Sequence, residues 1–244
     1  MTRSFARACL VTVLLTASAS TLAAEGDDDR AWGWANGAAV STETVWRGQS
    51  LTAGKPAVIG ELKLDHRSGA YVGVWAGNID LGRGTDTHVE FDYFAGWAKK
   101  TGKVYVNVGY LYRQRPSDTM DLDFEELTVS ASYDLGGAII GASAAYAWDY
   151  FQGGSSLYTS ANVRVPLGKP RGVPVSAILT VGEYDFSHRA IGDYRNIDLR
   201  LTARHRNWYY SVGYGDTDID PRTSGLLTRH ESDGRWRAQA LVMF

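Results

Sequence analysis

Charged side chains recur at every second position along several stretches of the chain, with apolar residues between them. In "VEFDYFAGWA", for example, Glu90 and Asp92 alternate with Val89, Phe91 and Tyr93. Side chains of a β-strand point alternately to its two faces, so such charges share one face. On the inner wall of a closed barrel, charges of both signs create a transverse field that orients polar solutes and filters ions. We therefore predict the following pore-lining residues: Glu43, Arg47, Glu61, Lys63, Asp65, Glu90, Asp92, Arg113, Arg164, Asp198, Arg200, Arg204 and Arg237.

A catalytic site is the less favoured interpretation of the five histidines. Nucleophilic catalysis needs a base within hydrogen-bond reach of the nucleophile. Ser187 and His188 are adjacent, so on a strand they point to opposite faces. His66 and Ser68 can share a face, but they lie at a predicted turn. We predict no enzymatic activity, and an outer-membrane lipid hydrolase or acyltransferase remains the least favoured alternative.

An acidic stretch, "DTDIDPRTSG", resembles a calcium loop only in part. Asp216, Asp218 and Asp220 alternate as oxygen ligands do in an EF-hand, but Pro221 and Leu227 stand where that motif needs glycine and an acid. This stretch is better interpreted as a solvated loop, and we predict no metal and no cofactor. The formal net charge of −2 gives no basic field, which argues against nucleic acid as a partner.

Alternation with a period of two extends over nearly the whole chain and indicates β-strands rather than helices. "KVYVNVGYLYR" and "NIDLRLTAR" each place aliphatic and aromatic residues on one face and polar or charged residues and glycine on the other. We predict twelve strands, with boundaries good to a few residues. They lie near residues 36–48, 55–66, 69–80, 87–99, 102–114, 123–134, 137–149, 156–166, 173–185, 193–205, 206–217 and 234–244.

The connections between these strands are alternately short and long. Joins such as "KTG" and "LGG" are tight, whereas "RPSDTMDLD" and "TDIDPRTSGLLTRHESDG" are longer. This parity is typical of outer-membrane barrels and is not imposed by a Greek-key sandwich. The fold class that we predict is therefore all-β, an up-and-down antiparallel transmembrane β-barrel of about twelve strands. A water-soluble barrel is the alternative, because the pattern does not show which face points inward.

The first residues predict export. Two arginines precede a short apolar run, "ACLVTVLLTA", and small residues follow it, which matches a cleaved signal peptide. The single cysteine, Cys9, lies in that segment. We assign a signal peptide to residues 1–24, a periplasmic lead-in to 25–35 and an outer-membrane β-barrel to 36–244. The predicted localisation is the bacterial cell outer membrane.

The stretch "RWRAQALVMF" places Trp236, Val242 and Phe244 on one apolar face. It resembles the C-terminal signature of bacterial outer-membrane barrels, in which it implies recognition by the barrel-assembly machinery. Aromatic residues near predicted strand ends further suggest interfacial belts. The candidates are Trp46, Tyr71, Trp97, Tyr112, Tyr133, Trp148, Tyr150, Tyr194, Trp208 and Trp236.

The N-terminal third resembles the TorF family, proteobacterial outer-membrane proteins assigned as porins. The resemblance covers most of the chain after the signal and is strongest over residues 44–112. It implies an outer-membrane barrel that passes small polar solutes, and it implies no catalytic residues. The chain departs from the family at Arg115, where an aromatic residue is expected before the proline. The matching residues are Arg47, Gly48, Ser50, Lys55, Pro56, Ala57, Ser68, Gly69, Tyr71, Val72, Gly73, Val74, Trp75, Asn78, Glu90, Asp92, Gly96, Gly109 and Tyr110.

The function predicted from these features is a porin for passive diffusion of small hydrophilic solutes through a narrow charged lumen. Twelve strands lie between the eight that leave almost no lumen and the sixteen that leave a channel. The alternative is a closed structural or adhesive barrel whose outer loops bind a partner. The expected partners are outer-membrane lipid, the barrel-assembly machinery and small polar solutes, and the sequence selects no oligomeric state.

Overall fold

The computed structural model describes residues 31–81, 85–117, 121–151, 153–187, 192–219 and 233–244. In these ranges the chain forms strands and one 3-10 turn, Pro170–Gly172. The strands are β1 Trp32–Trp34, β2 Gly37–Ser41, β3 Val45–Trp46, β4 Gln49–Ser50, β5 Ala57–His66, β6 Ala70–Asn78, β7 Val89–Thr101, β8 Val104–Gln114, β9 Phe124–Asp134, β10 Ile139–Ala147, β11 Ser156–Gly168, β12 Val175–Phe186, β13 Tyr194–His205, β14 Trp208–Thr217 and β15 Arg235–Met243. No helix in the described ranges is long and apolar enough to cross a membrane.

One antiparallel sheet closes on itself to form the barrel. From β5 to β15 each strand pairs with the next, and β2 pairs with both β15 and β5. β1 and β2 together make one wall strand, because both pair with β5, at Trp34–Leu64 and at Gly37–Glu61. The wall therefore has twelve strands, as predicted. Closure gives every wall strand a neighbour on both sides, as a span through lipid requires.

The predicted first strand is wrong in its second half. We expected a strand over 36–48, but wall pairing ends at Ser41, and β3 and β4 form a separate two-stranded hairpin. Its turn residues Arg47 and Gly48 have φ of 50° and 87°, the two positive values of a type I′ turn. The alternation already weakens before this turn, because Thr42 and Thr44 follow Val40 on one face and Val45 lies with Arg47 on the other. The other wall strands agree with prediction within two residues.

The wall is apolar outside and polar inside. On β12 and β13, Leu179, Val181 and Leu199 are exposed, whereas Thr180 and Asp198 are buried in the interior. A water-soluble barrel has the opposite arrangement, whereas an apolar outer band and a polar interior define a transmembrane barrel. The predicted fold class is confirmed, and the soluble alternative is excluded.

The two ends of the barrel differ. The connections after β5, β7, β9, β11 and β13 are short and meet at one end, which we call the turn end. The longer connections after β2, β6, β8, β10, β12 and β14 meet at the opposite end, which we call the loop end. The predicted parity of short and long joins is therefore present.

Only some of the aromatic residues that we predicted for the interfacial belts lie on the outer surface. Trp97, Tyr133, Trp148, Trp208 and Trp236 are exposed on the outer surface, as a belt requires, and Tyr112 is half-buried against exposed Tyr93. For the remaining candidates the prediction was wrong, because their side chains are buried inside the barrel. They are Trp46, Tyr71, Tyr150 and Tyr194.

Candidate functional site: the barrel interior

The hairpin formed by β3 and β4 lies inside the barrel near the loop end, and we call it the lumen hairpin. Arg47 at its tip donates two hydrogen bonds to the carboxylate of Glu126 on β9, at 2.6 and 2.9 Å. It donates a third to the hydroxyl oxygen of Tyr184 on β12, at 2.9 Å. The side chains of Arg47 and Glu126 are 1% and 0% exposed. This buried, bidentate pair ties the hairpin tip to the far wall.

The backbone conformation of the hairpin turn places Arg47 at the tip. A type I′ turn favours asparagine and glycine, because most residues are strained at positive φ. Arg47 adopts φ 50° nevertheless, and its guanidinium gains a fully buried partner. Gly48 beside it packs tightly on the wall, since a Cβ there would lie 2.8 Å from the Cβ of Asn196. Hydrogen bonds from Gln49 Nε2 to the Tyr194 hydroxyl and from that hydroxyl to the Arg47 carbonyl, both 3.0 Å, complete the docking.

Aromatic side chains fill one side of the interior around the hairpin. Trp46 packs against Phe124 and Tyr184, with ring centroids 6.0 Å apart in both pairs. Tyr150, in the connection after β10, is buried among these rings, and burial raises its pKa above the ordinary value. Its phenol therefore stays neutral across the physiological range. The cluster also includes Leu51, Ile79, Ala145, Ala147, Tyr158 and Tyr194.

A buried charge network adjoins this cluster. Arg113 donates to both carboxylate oxygens of Asp92, at 2.8 and 2.7 Å, and lies 3.3 Å from Glu90. Arg115 donates to the second oxygen of Glu90 at 2.6 Å. Together with the Arg47–Glu126 pair, three arginines face three carboxylates, so their charges balance. A balanced, buried network beside packed aromatic rings makes this side of the interior a closed structural core.

The other side of the interior contains a cleft between the lumen hairpin and the wall from β12 to β15. The centres of water-sized molecules can occupy about 50 Å³ of it, and part of it is open to solvent. Arg200 and Arg237 both donate to Asp198, and Arg235 donates to Glu43 at 2.6 Å. The remaining lining is Ser41, Val45, Arg47, Gly48, Tyr158, Thr180, Asn196, Ile197, Ser211, Gly215 and Gln239. A solute in this cleft meets charged, hydroxyl and amide groups.

Small polar side chains line part of the inner wall away from the lumen hairpin. Ser130, Ser143, Ser160 and Ser211 are half-buried, and the hydroxyls of Ser143 and Ser160 are 2.7 Å apart. Aromatic rings also enter the interior near the turn end, since Tyr71 and Tyr209 are buried there.

The structure brings some of the thirteen predicted residues together and separates others. Glu43, Asp198, Arg200 and Arg237 share the cleft, and Arg47 lies in its lining. Glu90, Asp92 and Arg113 form a second group, within the charge network. Three more lie toward the turn end on β5, where the Lys63 ammonium is 2.7 Å from Asp65 and Glu61 is half-buried. Arg164 is half-buried on β11 and Arg204 is exposed at the turn end.

Sequence reasoning missed two residues of the network, Arg115 and Glu126. Arg115 continues the alternation of Arg113 by one step beyond the predicted strand end. Glu126 shares a face with Phe124, whereas neighbouring Glu125 does not, and two successive acids hid which one points inward. The continued alternation was a usable signal for Arg115, but Glu126 needed the identity of its partner across the barrel.

The candidate pair of His66 and Ser68 lies away from the cleft. His66 Nδ1 is 2.8 Å from the Ser68 hydroxyl at the turn end, and the Trp32 ring packs 4.6 Å from the imidazole. In the described ranges no three His, Cys, Asp or Glu side chains are arranged to hold a metal ion. The predicted signal peptide lies outside those ranges. Several candidate residues of the histidine and acidic-loop interpretations also lie outside them, namely His188, Asp220, Pro221, Leu227 and His230.

Comparison with known proteins agrees with this architecture. The structure of the KdgM porin is similar with a TM-score of 0.58 at 7% identity, covering 86% of this chain and 99% of that one. A NanC porin structure gives 0.54 at 11% identity, with 86% and 98% covered. At these identities the likeness shows the fold. A family model described as a bacterial protein of unknown function, Gcw_chp, matches residues 26–240. No curated protein matches the chain in sequence.

Proposed function

Because the chain belongs to the Gcw_chp family of bacterial proteins, whose function is unknown, we propose a function from the barrel itself. It is a porin of the bacterial outer membrane that lets small hydrophilic solutes diffuse passively through its lumen. The resemblance to TorF-family sequences and the shared fold with the KdgM and NanC porins support this proposal.

The observation that carries the proposal is the polar cleft beside the lumen hairpin. One side of the interior is closed by aromatic rings and a balanced charge network, while the other side keeps space and polar groups. The Arg235–Glu43 pair and the pairs of Asp198 with Arg200 and Arg237 line this route. Such groups replace part of a solute's hydration as it passes. The lumen hairpin forms the constriction that limits solute size.

Conductance across a planar lipid bilayer tests this function. The purified barrel should insert in discrete steps and pass current. A variant in which Val45 to Ser50 are replaced by a Gly-Gly link should show larger steps, because the constriction is removed. The control, Gly137→Ala in the turn between β9 and β10, lies at the opposite end of the barrel and should leave step size unchanged. A folded barrel without current, or a hairpin deletion with the original step size, would contradict the proposal.

A closed barrel whose loops bind a partner is the second candidate. It is favoured by the aromatic cluster and the charge network, which fill one side of the loop end. The same bilayer experiment separates the two. A silent barrel whose hairpin deletion restores current would show that the lumen hairpin seals the native lumen.

Export and assembly complete the proposal. We place the barrel in the outer membrane after removal of residues 1–24, and we infer recognition by the barrel-assembly machinery. Trp236 and Phe244 are both exposed on the outer surface, where an assembly factor can reach them. Fractionation of a Gram-negative host should place the protein with outer-membrane markers. Accumulation in the inner membrane or the soluble periplasm would oppose this assignment.

A further inference from the structure

The turn end of the barrel carries a rim of exposed basic side chains. We call this set the basic rim, and none of its members forms an ion pair with a carboxylate in the described part of the chain. The described residues of the same turns include one acidic side chain, that of Asp134. It accepts a hydrogen bond from the Gly136 amide at 2.8 Å. The members of the basic rim are Arg67, Lys99, Lys100, Lys103, Lys169, Arg171, Arg204 and Arg206.

The loop end has the opposite charge. Its two exposed cations in the described ranges, Lys55 and Arg195, each pair with an acid, Asp80 and Glu183. Further acids surround them, so within the described ranges the barrel is acidic at one end and basic at the other. The other acids near the loop end are Asp86, Asp121, Asp123, Asp149, Asp185, Asp193, Asp218 and Asp233.

The cations of the basic rim lie next to exposed apolar groups of the outer wall. Lys99 follows Trp97 by two positions on the outward face of β7. In the same way Lys169 follows exposed Leu167, and Arg206 precedes exposed Trp208 by two positions. Exposed tryptophan on a transmembrane wall marks the depth at which hydrocarbon gives way to headgroups. Flexible lysine and arginine side chains at this level reach the phosphates while their stems stay on the apolar surface.

We propose that the basic rim binds the phosphate groups of anionic phospholipids in the leaflet at the turn end. Guanidinium and ammonium groups are the ordinary protein ligands of phosphate. Cations clustered at a membrane surface attract anionic lipid additively and in a salt-dependent way. A soluble acidic protein would match the charges but would leave the adjacent Trp97, Leu167 and Trp208 surfaces uncovered. A lipid covers both, with its phosphate on the cation and its acyl chain on the apolar side chain.

Native mass spectrometry from lipid nanodiscs tests this proposal independently of pore function. The purified barrel is placed in nanodiscs of equal phosphatidylglycerol and phosphatidylcholine, and the lipids retained on ejection are counted. We expect severalfold preferential retention of phosphatidylglycerol. The variant Lys99→Gln, Lys103→Gln, Lys169→Gln, Arg206→Gln should lose most of this preference. The matched control, Lys55→Gln with Arg195→Gln at the loop end, should keep it.

Two further measurements keep the outcome decisive. Circular dichroism and heat-dependent gel mobility report whether each variant is folded, and the single variants Lys169→Gln and Arg206→Gln should each lower the preference by a smaller step if the quadruple variant fails to fold. Higher salt should reduce phosphatidylglycerol retention by the native barrel. Equal retention of both lipids by the native barrel, or an unchanged preference in the folded quadruple variant, would overturn the proposal and favour a soluble acidic partner.

Discussion

At the scale of single residues, Arg47 combines a strained backbone with a buried charge. Its φ of 50° is unfavourable for a side chain of this kind, and the guanidinium is withdrawn from water. Both penalties are offset only while Glu126 and Tyr184 accept its hydrogen bonds. The residue therefore links the conformation of the lumen hairpin to the far wall of the barrel.

Replacing Arg47 with methionine should destabilise the barrel by about 3–5 kcal/mol, because the Glu126 carboxylate is left buried without its partner. Adding Glu126→Gln should recover part of this loss. Urea unfolding in lipid vesicles measures both. The matched control is Arg195→Met, whose pair with Glu183 is 74% and 45% exposed and should change stability far less. Similar losses for the buried and exposed pairs would show that Arg47 does not anchor the hairpin.

Gly48 tests the same hairpin tip through shape alone. Alanine there must adopt φ near 87° and press against Asn196, so the tip should move away from the wall. We expect Gly48→Ala to increase bilayer conductance or its fluctuation, with a stability loss of about 1–3 kcal/mol. Gly60→Ala is the control, because no atom lies within 4 Å of a Cβ at that position. Equal behaviour of the two variants would rule out a tightly docked tip.

At the scale of elements, the cleft should set ion selectivity. Arg235 and Arg237 contribute positive charge next to Glu43 and Asp198. Converting both arginines to glutamine leaves Glu43 without its partner and Asp198 with Arg200 alone, so the reversal potential in a salt gradient should shift toward cation preference. Arg171→Gln, outside the interior at the turn end, should leave the potential unchanged. A null shift in the double variant would place the ion path elsewhere.

The wall strands could be predicted from sequence, whereas the lumen hairpin could not. A membrane wall imposes a period of two on every strand, so eleven of the twelve were located within two residues. The hairpin's turn depends on the contact of Arg47 with Glu126, which is distant in sequence. The same reason hid Trp46 and Tyr184 in the interior core: alternation identifies a face, but the barrel's closure decides what meets across it.

At the scale of the whole molecule, the inverted wall is the property on which the other arguments depend. Exposed leucines occur along the barrel wall between its two ends. Their depth in the bilayer should decide how much a charged substitution destabilises the barrel. Leu199 lies in the middle of β13, whereas Leu135 lies in a turn at the turn end, and both are exposed to a similar extent.

Leu199→Arg should therefore destabilise folding into lipid vesicles by about 2–4 kcal/mol, while Leu135→Arg should cost about 0–1 kcal/mol, because the penalty for a charge on the lipid-facing wall decreases from the bilayer midplane to the interface. Urea titration in vesicles of fixed composition measures the difference. If the barrel were a soluble protein, both leucines would face water, and arginine at either position would change stability by no more than about 0.5 kcal/mol. Equal tolerance in vesicles would mean that the outer wall of the barrel does not face hydrocarbon.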